Sequence, residues 1–312
     1  MAHYTLLDKN TLETILKDYP IGTPRDVTPL DGGQANSSTI FSTDSGSYVI
    51  SVCDEKSFDE LNLLTLTLEY LAKHGIPTTR LIRTKDNSTF VEHAGKPVYV
   101  KEFIEGTVPK ALTPEMVYQI GAALARLHAV TPQHYLPSSF SYGIESFSEI
   151  INNKGAFPGW LGERTQYLAK CINPDLPKGL IHGDLFFDNT VFQGEKLAAL
   201  LDFEEVCNYF LIFDLGMCAA GCCCQSGELS LSLTASLSHG YQSVRPLSEL
   251  EKELFKLHIE YGAVATAFWR YRQYNVRLPD IGKNNAHEEM RDLADQIGSL
   301  SHEDFMRQVF SQ

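Results

Sequence analysis

Three polar residues and their spacing carry the chemistry of this chain. His182-Gly183-Asp184 is followed five residues after the Asp by Asn189, and a second carboxylate stands at Asp202 in Leu200-Leu201-Asp202-Phe203-Glu204. Gly179–Ile181 reads as a short strand, so Asp184 sits on the loop after it, where a carboxylate can face a substrate hydroxyl. Asn189 offers a neutral amide oxygen and Asp202 an anionic one. A hairpin about the turn Gln193-Gly194-Glu195-Lys196 brings those two ligands together. A few hard oxygens from the protein, with the rest from phosphate and water, is the donor set Mg²⁺ prefers. A base for a hydroxyl beside such a site is what phosphoryl transfer asks of a protein, because that reaction needs positioning and charge neutralisation more than covalent help. Taken singly, His182, Asp184 and Asn189 are better read as turn caps and Asp202 as a strand end. The set together points to a kinase.

Composition narrows the alternatives. The chain has 312 residues, 43% hydrophobic and 21% charged, enough for two units with cores of their own. No apolar run approaches the roughly 18 residues that a membrane helix needs. Met1 to Asn10 lacks a basic-then-apolar leader, so a cytoplasmic location is the default. A formal charge of −13 argues against a nucleic-acid partner, which would need clustered Lys and Arg. It is compatible with a cationic acceptor such as an amine. The seven cysteines include the run Cys222-Cys223-Cys224 but no paired CxxC spacing, and read as small buried residues. No Ser-His-Asp or HExxH arrangement supports a hydrolase.

The elements that must position these residues change in texture near residue 104. Leu12, Ile15 and Leu16 mark a leading helix ended by Pro20 and Gly22. Strands follow at 26–30, 37–43 and 48–53, the last two joined by the turn Asp44-Ser45-Gly46-Ser47. Ser57 caps a helix whose Leu61, Leu64, Leu68 and Leu71 share one face, ending at His74-Gly75. Two more strands cover 89–92 and 97–103. After Gly106 and Pro109 the pattern turns helical, with Thr113-Pro114 opening a helix to about Val130. Further helices are expected over 145–152, 160–170, 209–224, 228–241, 248–274 and 287–309. Residues 1–104 thus read as a β-rich unit and 105–312 as a mainly helical one.

These features resemble the aminoglycoside phosphotransferase and choline kinase superfamily, small-molecule kinases that share the protein-kinase fold. His182 to Asn189 matches that family's catalytic loop, and Asp202-Phe203-Glu204 sits at its metal-binding motif. Within it, Tyr4-Thr5 to Tyr19, Gly33-Gln34-Ala35-Asn36-Ser37, Asp184 to Asn189 and the stretch from Asp202 to Leu215 look most like the bacterial homoserine kinases of this fold. The resemblance implies a two-lobed α+β fold, with a small antiparallel β lobe carrying one main helix and a larger helical lobe. It implies ATP and Mg²⁺ as cofactors, Asp184 as catalytic base, and Asn189 and Asp202 as metal ligands. Val100 to Ile104, including Lys101, Glu102 and Phe103, would pair with adenine through the backbone. His182 would brace the loop, Asp214 would tie down the following helix, and His128 would be a packed helix-end residue.

The chain also departs from that pattern. Kinases of this fold carry a strand Lys that contacts the phosphates and pairs with a helix Glu. Here Ser51 and Leu64 stand at those places, both partners changed together. Either the protein binds nucleotide without transferring phosphate, or another cation such as Lys56 or Lys101 serves; the intact Asp184, Asn189 and Asp202 favour activity. The loop Asp31 to Ser38 lacks a G-x-G-x-x-G spacing, yet Gly33, Asn36 and Ser37 stand where they could cover a triphosphate.

The acceptor site is the least legible part. Glu204, Glu205, Asn208 and Tyr209 either face an acceptor amine or are ordinary loop residues. Arg270 or Arg272 could clasp a substrate carboxylate, but two residues apart on a helix they face different sides. The expected substrate is a small molecule with a hydroxyl, carrying an amine, with homoserine the leading candidate. Choline or ethanolamine, an aminoglycoside, a sugar and a protein serine stay open as acceptors. The expected state is a monomer or a homodimer.

Overall fold

The computed structural model describes residues 7–30 and 36–311. The chain divides into two compact units, Met1–Glu105 and Gly106–Gln312. The first holds α1 (Lys9–Leu16), β1 (Arg25–Leu30), β2 (Asn36–Thr43), β3 (Gly46–Cys53), α2 (Phe58–Lys73), β4 (Leu81–Ile82), β5 (Val91–His93) and β6 (Lys96–Glu102). The strands form one antiparallel sheet in the order β1-β2-β3-β6-β4, with β5 also on β6. Side chains alternate along a strand, so β3 sends Tyr48, Ile50 and Val52 to one face. There they join Val98 and Val100 of β6, Leu12, Ile15 and Leu16 of α1, and Tyr19 just beyond it in one core cluster. Each such buried side chain contributes on the order of 2 kcal/mol. Ser51 falls on the opposite face. The second helix starts as expected at Ser57, in a capping box where Ser57 and Glu60 bond each other's backbone N–H.

The second unit holds α3 (Pro114–His128), the single turn α4 (Ser148–Ile151), α5 (Ala156–Cys171), β7 (Lys178–Ile181), the hairpin β8 (Thr190–Gln193) and β9 (Lys196–Leu200), β10 (Cys207–Phe210) and α6 (Leu211–Cys222). It ends with β11 (Cys224–Gln225), β12 (Glu228–Leu229), α7 (Leu231–Gln242), α8 (Glu249–Tyr271), α9 (Ala286–Ser299) and α10 (His302–Phe310). Every residue of α6 is buried. It crosses α8 closely at two glycines: a Cβ on Gly216 would lie 2.3 Å from His258 O, and one on Gly262 would lie 2.8 Å from Met217 Cα.

Two expectations change here. Residues 207–210 are not the start of a helix but a strand paired antiparallel with β7, Asn208 opposite Leu180. The apolar run Tyr209 to Phe213 has no period that separates helix from strand, and the neighbouring strand decides it. The last helix is two, broken at Leu300, with Ser301 capping the second. Among the described residues no helix is long and apolar enough to cross a membrane.

Candidate active site

The loop after β7 is held by a buried carboxylate. Asp214, in the first turn of α6 and fully buried, accepts the amides of His182 at 2.7 Å and Gly183 at 2.8 Å. It also meets His128 Nε2 at 3.0 Å. Burial alone would push the Asp214 carboxyl up; the bond to His128 and that ring's charge more than offset it, and it is held below the usual carboxylate range. His128 in turn bonds Tyr241 through Nδ1 at 2.7 Å. The expected helix anchor is therefore the anchor of the loop, and the packed helix-end histidine is its partner. An Asp alone in an otherwise apolar helix was the signal available in the sequence, since a buried charge needs partners.

His182 is fully buried and braces the loop from its other side. Its Nδ1 accepts the Asp184 amide at 3.3 Å, so Nε2 carries the proton and donates to Leu201 O at 2.8 Å. Burial holds its pKa below the ordinary value, which keeps the ring neutral and the tautomer fixed. Leu201 precedes Asp202, and its N–H donates to Asn189 O at 2.8 Å. The three chemistry-bearing residues are thus tied by consecutive bonds. Asn189 commits Nδ2 to Asp184 O at 2.8 Å, which turns its amide oxygen the other way. Asp202 is exposed and adopts a left-handed backbone, φ 61° and ψ 64°. That conformation costs a non-glycine residue about 1 kcal/mol and clusters at functional sites.

Asp184 is partly buried, and its carboxyl is pushed up to about 7. Burial is the largest cause, followed by the charges of Asp202 and Glu205. A carboxylate whose neighbours' charges raise it would be relieved by a cation bound nearby. Among the described residues no group of three His, Cys, Asp or Glu side chains is placed to hold a metal. One carboxylate with one amide oxygen, completed by phosphate and water, fits Mg²⁺ carried in with a nucleotide rather than a resident ion.

Sequence reasoning missed Tyr142. It is buried, donates from its hydroxyl to Gly183 O at 3.1 Å, and reaches the Asp184 carboxylate. Its backbone neighbour Ser141 bonds the Glu205 carboxylate. Nothing in the spacing of Phe140-Ser141-Tyr142 announces this contact. It arises because the Asn208 amide bonds Pro137 O at 2.8 Å and lays that segment along the loop.

The remaining candidates sit as follows. Glu204 and Glu205 are half-buried on a turn beside Asp202. Asn208 is half-buried on β10. Tyr209 does not face outward: it is buried, with its hydroxyl 3.0 Å from that of Tyr261 and 3.3 Å from Glu145. Its place on β10, rather than on a helix, turns it inward. Arg270 points to α9, bonding Glu289 at 2.7 Å and Ala286 O at 3.1 Å, and not toward Asp184. Arg272 is buried and bonds Glu149 at 3.3 Å.

In the first unit, Ser51 is fully buried and its hydroxyl lies 2.8 Å from that of Ser38; Leu64 is buried on α2. Ser51 pairs with Tyr99 on β6. The Lys101 ammonium lies over the Tyr99 ring at 5.2 Å, on the same face as Ser51. Ser37 donates to Asp54, which is also paired with Lys96. Glu102 ends β6 and bonds Arg80 O through its amide, and the Phe103 amide bonds Ser47 O; Ile104 follows, half-buried. Gly33 and the rest of 31–35 lie outside the described residues, as does the Asn36 side chain.

Comparison with known proteins gives this geometry a context. The model of the phosphotransferase enzyme family matches residues 26–247. The chain is 31% identical over 307 residues to a homoserine kinase of Chelativorans sp. (strain BNC1), covering 94% of this chain and 95% of that one. It is 29% identical over 267 residues to a homoserine kinase of Bradyrhizobium sp. (strain ORS 278), covering 82% and 83%. Among solved structures, an amicoumacin kinase in complex with AMP-PNP and Ca²⁺ superposes with TM-score 0.74 at 14% identity, covering 96% and 97%. A microcompartment-associated aminopropanol kinase gives TM-score 0.72 at 16% identity, covering 96% and 100%. At these identities the likeness shows the fold, which is the α+β kinase-like one that the sequence predicts.

Proposed function

The chain belongs to the phosphotransferase enzyme family, and from that premise we propose that it transfers the γ-phosphoryl group of ATP to the hydroxyl of homoserine. The observation that carries the reading is the single bonded loop joining Asp184, Asn189 and Asp202. The acceptor hydroxyl oxygen attacks the γ-phosphorus. A new O–P bond forms, the bond to the bridging oxygen breaks, and ADP leaves with the electron pair. Asp184 orients the hydroxyl and takes its proton, and the Tyr142 hydroxyl beside it steadies the loop through its bond to Gly183 O. The Asn189 amide oxygen and the Asp202 carboxylate would hold Mg²⁺, which supplies neutralising charge for the phosphates. His182, neutral and buried, is a positioning residue: it fixes Leu201 and hence the start of the metal-binding turn. Transfer of this kind depends on positioning and electrostatics, which a rigid loop provides. Lys101 shares the sheet face of Ser51 and serves as the phosphate cation in place of the absent strand Lys.

Homoserine as acceptor is supported by the relatives that cover nearly the whole chain. Coupled ADP release, measured over homoserine, ethanolamine, choline, a sugar and an aminoglycoside, tests it. Homoserine should exceed every other acceptor in kcat/KM by about 100-fold, the scale that one paired charge on the substrate sets. A faster amino alcohol would sink the homoserine assignment. The replacement of the strand Lys by Ser51 favours one other reading, a nucleotide-binding pseudokinase, whose signature is Mg-ATP binding with no ADP released on any acceptor.

A further inference from the structure

An amino-acid acceptor brings a carboxylate, and one place beside the candidate site is built to receive one. α8 gives way at Arg272 to a π-helical segment, Arg272–Arg277. Such segments concentrate at functional sites, and their i→i+5 bonding stacks residues five apart on one face. Arg272 and Arg277 therefore both reach Glu149, at 3.3 Å and 3.8 Å. One carboxylate, itself 45% exposed, is shared by two guanidiniums and neutralises only one of them. Arg272 is the buried member of the pair, with its side chain 7% exposed and its guanidinium 4.9 Å from the Phe268 ring centroid. Burial and then the charge of Arg277 depress its pKa, against the Glu149 and Glu205 carboxylates, which raise it. The Glu149 contact uses one of the five donors in its fork, and a fork of this shape matches a carboxylate two bonds at a time.

Glu205 connects this arginine to the loop. A Cβ on Gly183 would come within 2.7 Å of Glu205 O, so the two backbones touch. Asp184 and Arg272 both feel the Glu205 charge. Trp269, three residues before Arg272, lies 6.4 Å from the Tyr142 ring and 6.1 Å from that of Tyr274. A base, a carboxylate and a buried guanidinium thus follow one another along one stretch of the second unit. That order suits a molecule with a hydroxyl, an ammonium and a carboxylate.

We propose that Arg272 is the specificity residue of the acceptor site and binds the substrate carboxylate, with Glu205 facing the ammonium; this rests on the kinase reading above. The test compares homoserine with 3-aminopropan-1-ol, which keeps the hydroxyl and the amine and lacks the carboxylate. The wild-type chain should favour homoserine. Arg272→Gln should lower kcat/KM for homoserine by about 100-fold and leave 3-aminopropan-1-ol within about threefold, so that the preference collapses. The ratio within one variant does not depend on how much of it is folded. If Arg272→Gln yields no folded protein, Arg272→Lys keeps the charge without the fork and should cost homoserine about 10-fold and the amino alcohol nothing. Equal losses on both acceptors would overturn the assignment of Arg272 and leave the kinase reading standing. A wild-type enzyme that phosphorylates 3-aminopropan-1-ol but not homoserine would overturn both.

Discussion

The loop around Asp184 and the strand around Ser51 are the two places where this chain should most resemble its family, and they differ in kind. At the loop, the backbone amides of residues 182 and 183 and the side chains of His128, His182 and Asn189 all have named partners. At the strand, a fully buried hydroxyl is bonded to that of Ser38, and Leu64 is buried on α2, at the places that the resemblance gives to a phosphate-binding Lys and its Glu. A buried ion pair contributes little net stability, and removing both members together costs far less than removing one. The phosphate contact can then move to another residue. The loop has less freedom, because His128, His182 and Asp214 are buried against one another and against its backbone, and the loss of one leaves its partner unsatisfied.

The largest effect that would break this contrast is on turnover. Asp184→Asn should lower kcat by about 1,000-fold with ATP affinity unchanged, as measured by ADP release and by titration calorimetry. Near-normal turnover would show that the base is elsewhere. The same variant should be more stable than the wild type in the presence of a chelator. The folded Asp184 holds its proton up to about pH 7 and the unfolded chain loses it near pH 4, so the wild type loses stability as pH rises through that window. Discounted for partial exposure, the gain from Asn should be roughly 2 kcal/mol at pH 8 by urea denaturation and close to zero at pH 4.

Second comes the anchor. Asp214→Ala strands two amides and the His128 ring, and should cost about 3 kcal/mol of stability. A cost under about 1 kcal/mol would mean that the buried network does not hold the loop. A smaller effect is expected at the strand. Lys101→Met should raise KM for ATP by about 10-fold and leave KM for the acceptor unchanged. No change would remove Lys101 as the substitute cation. Least of all, on nucleotide affinity, is Ser51→Lys. The new ammonium would enter a fully buried site, so it should lower the melting temperature without tightening ATP. Tighter ATP binding would show that a strand cation can reach the phosphates from this position.

How far the sequence spoke follows the same division. The loop was legible because its residues lie within 21 positions of one another, from His182 to Asp202, and the hairpin between them is coded by a local turn. The capping box at Ser57 and the Pro at the start of α3 were legible for the same reason. Tyr142 was not, because the segment that carries it is placed by a backbone bond from Asn208 to Pro137. The difference between Arg270 and Arg272 was visible only as a difference of face. Which of them turned to α9 depended on the break between α8 and the π-helical segment, and no residue type marks that break.

The most direct test is one single-turnover measurement: rapid-quench transfer of labelled γ-phosphate from ATP to homoserine, with enzyme in excess over nucleotide. The label should leave ATP in one phase and appear on the homoserine hydroxyl, and Asp184→Asn should hold it on the nucleotide. Label that stays on bound Mg-ATP in the wild type, with homoserine and with every other hydroxyl offered, would contradict the kinase reading.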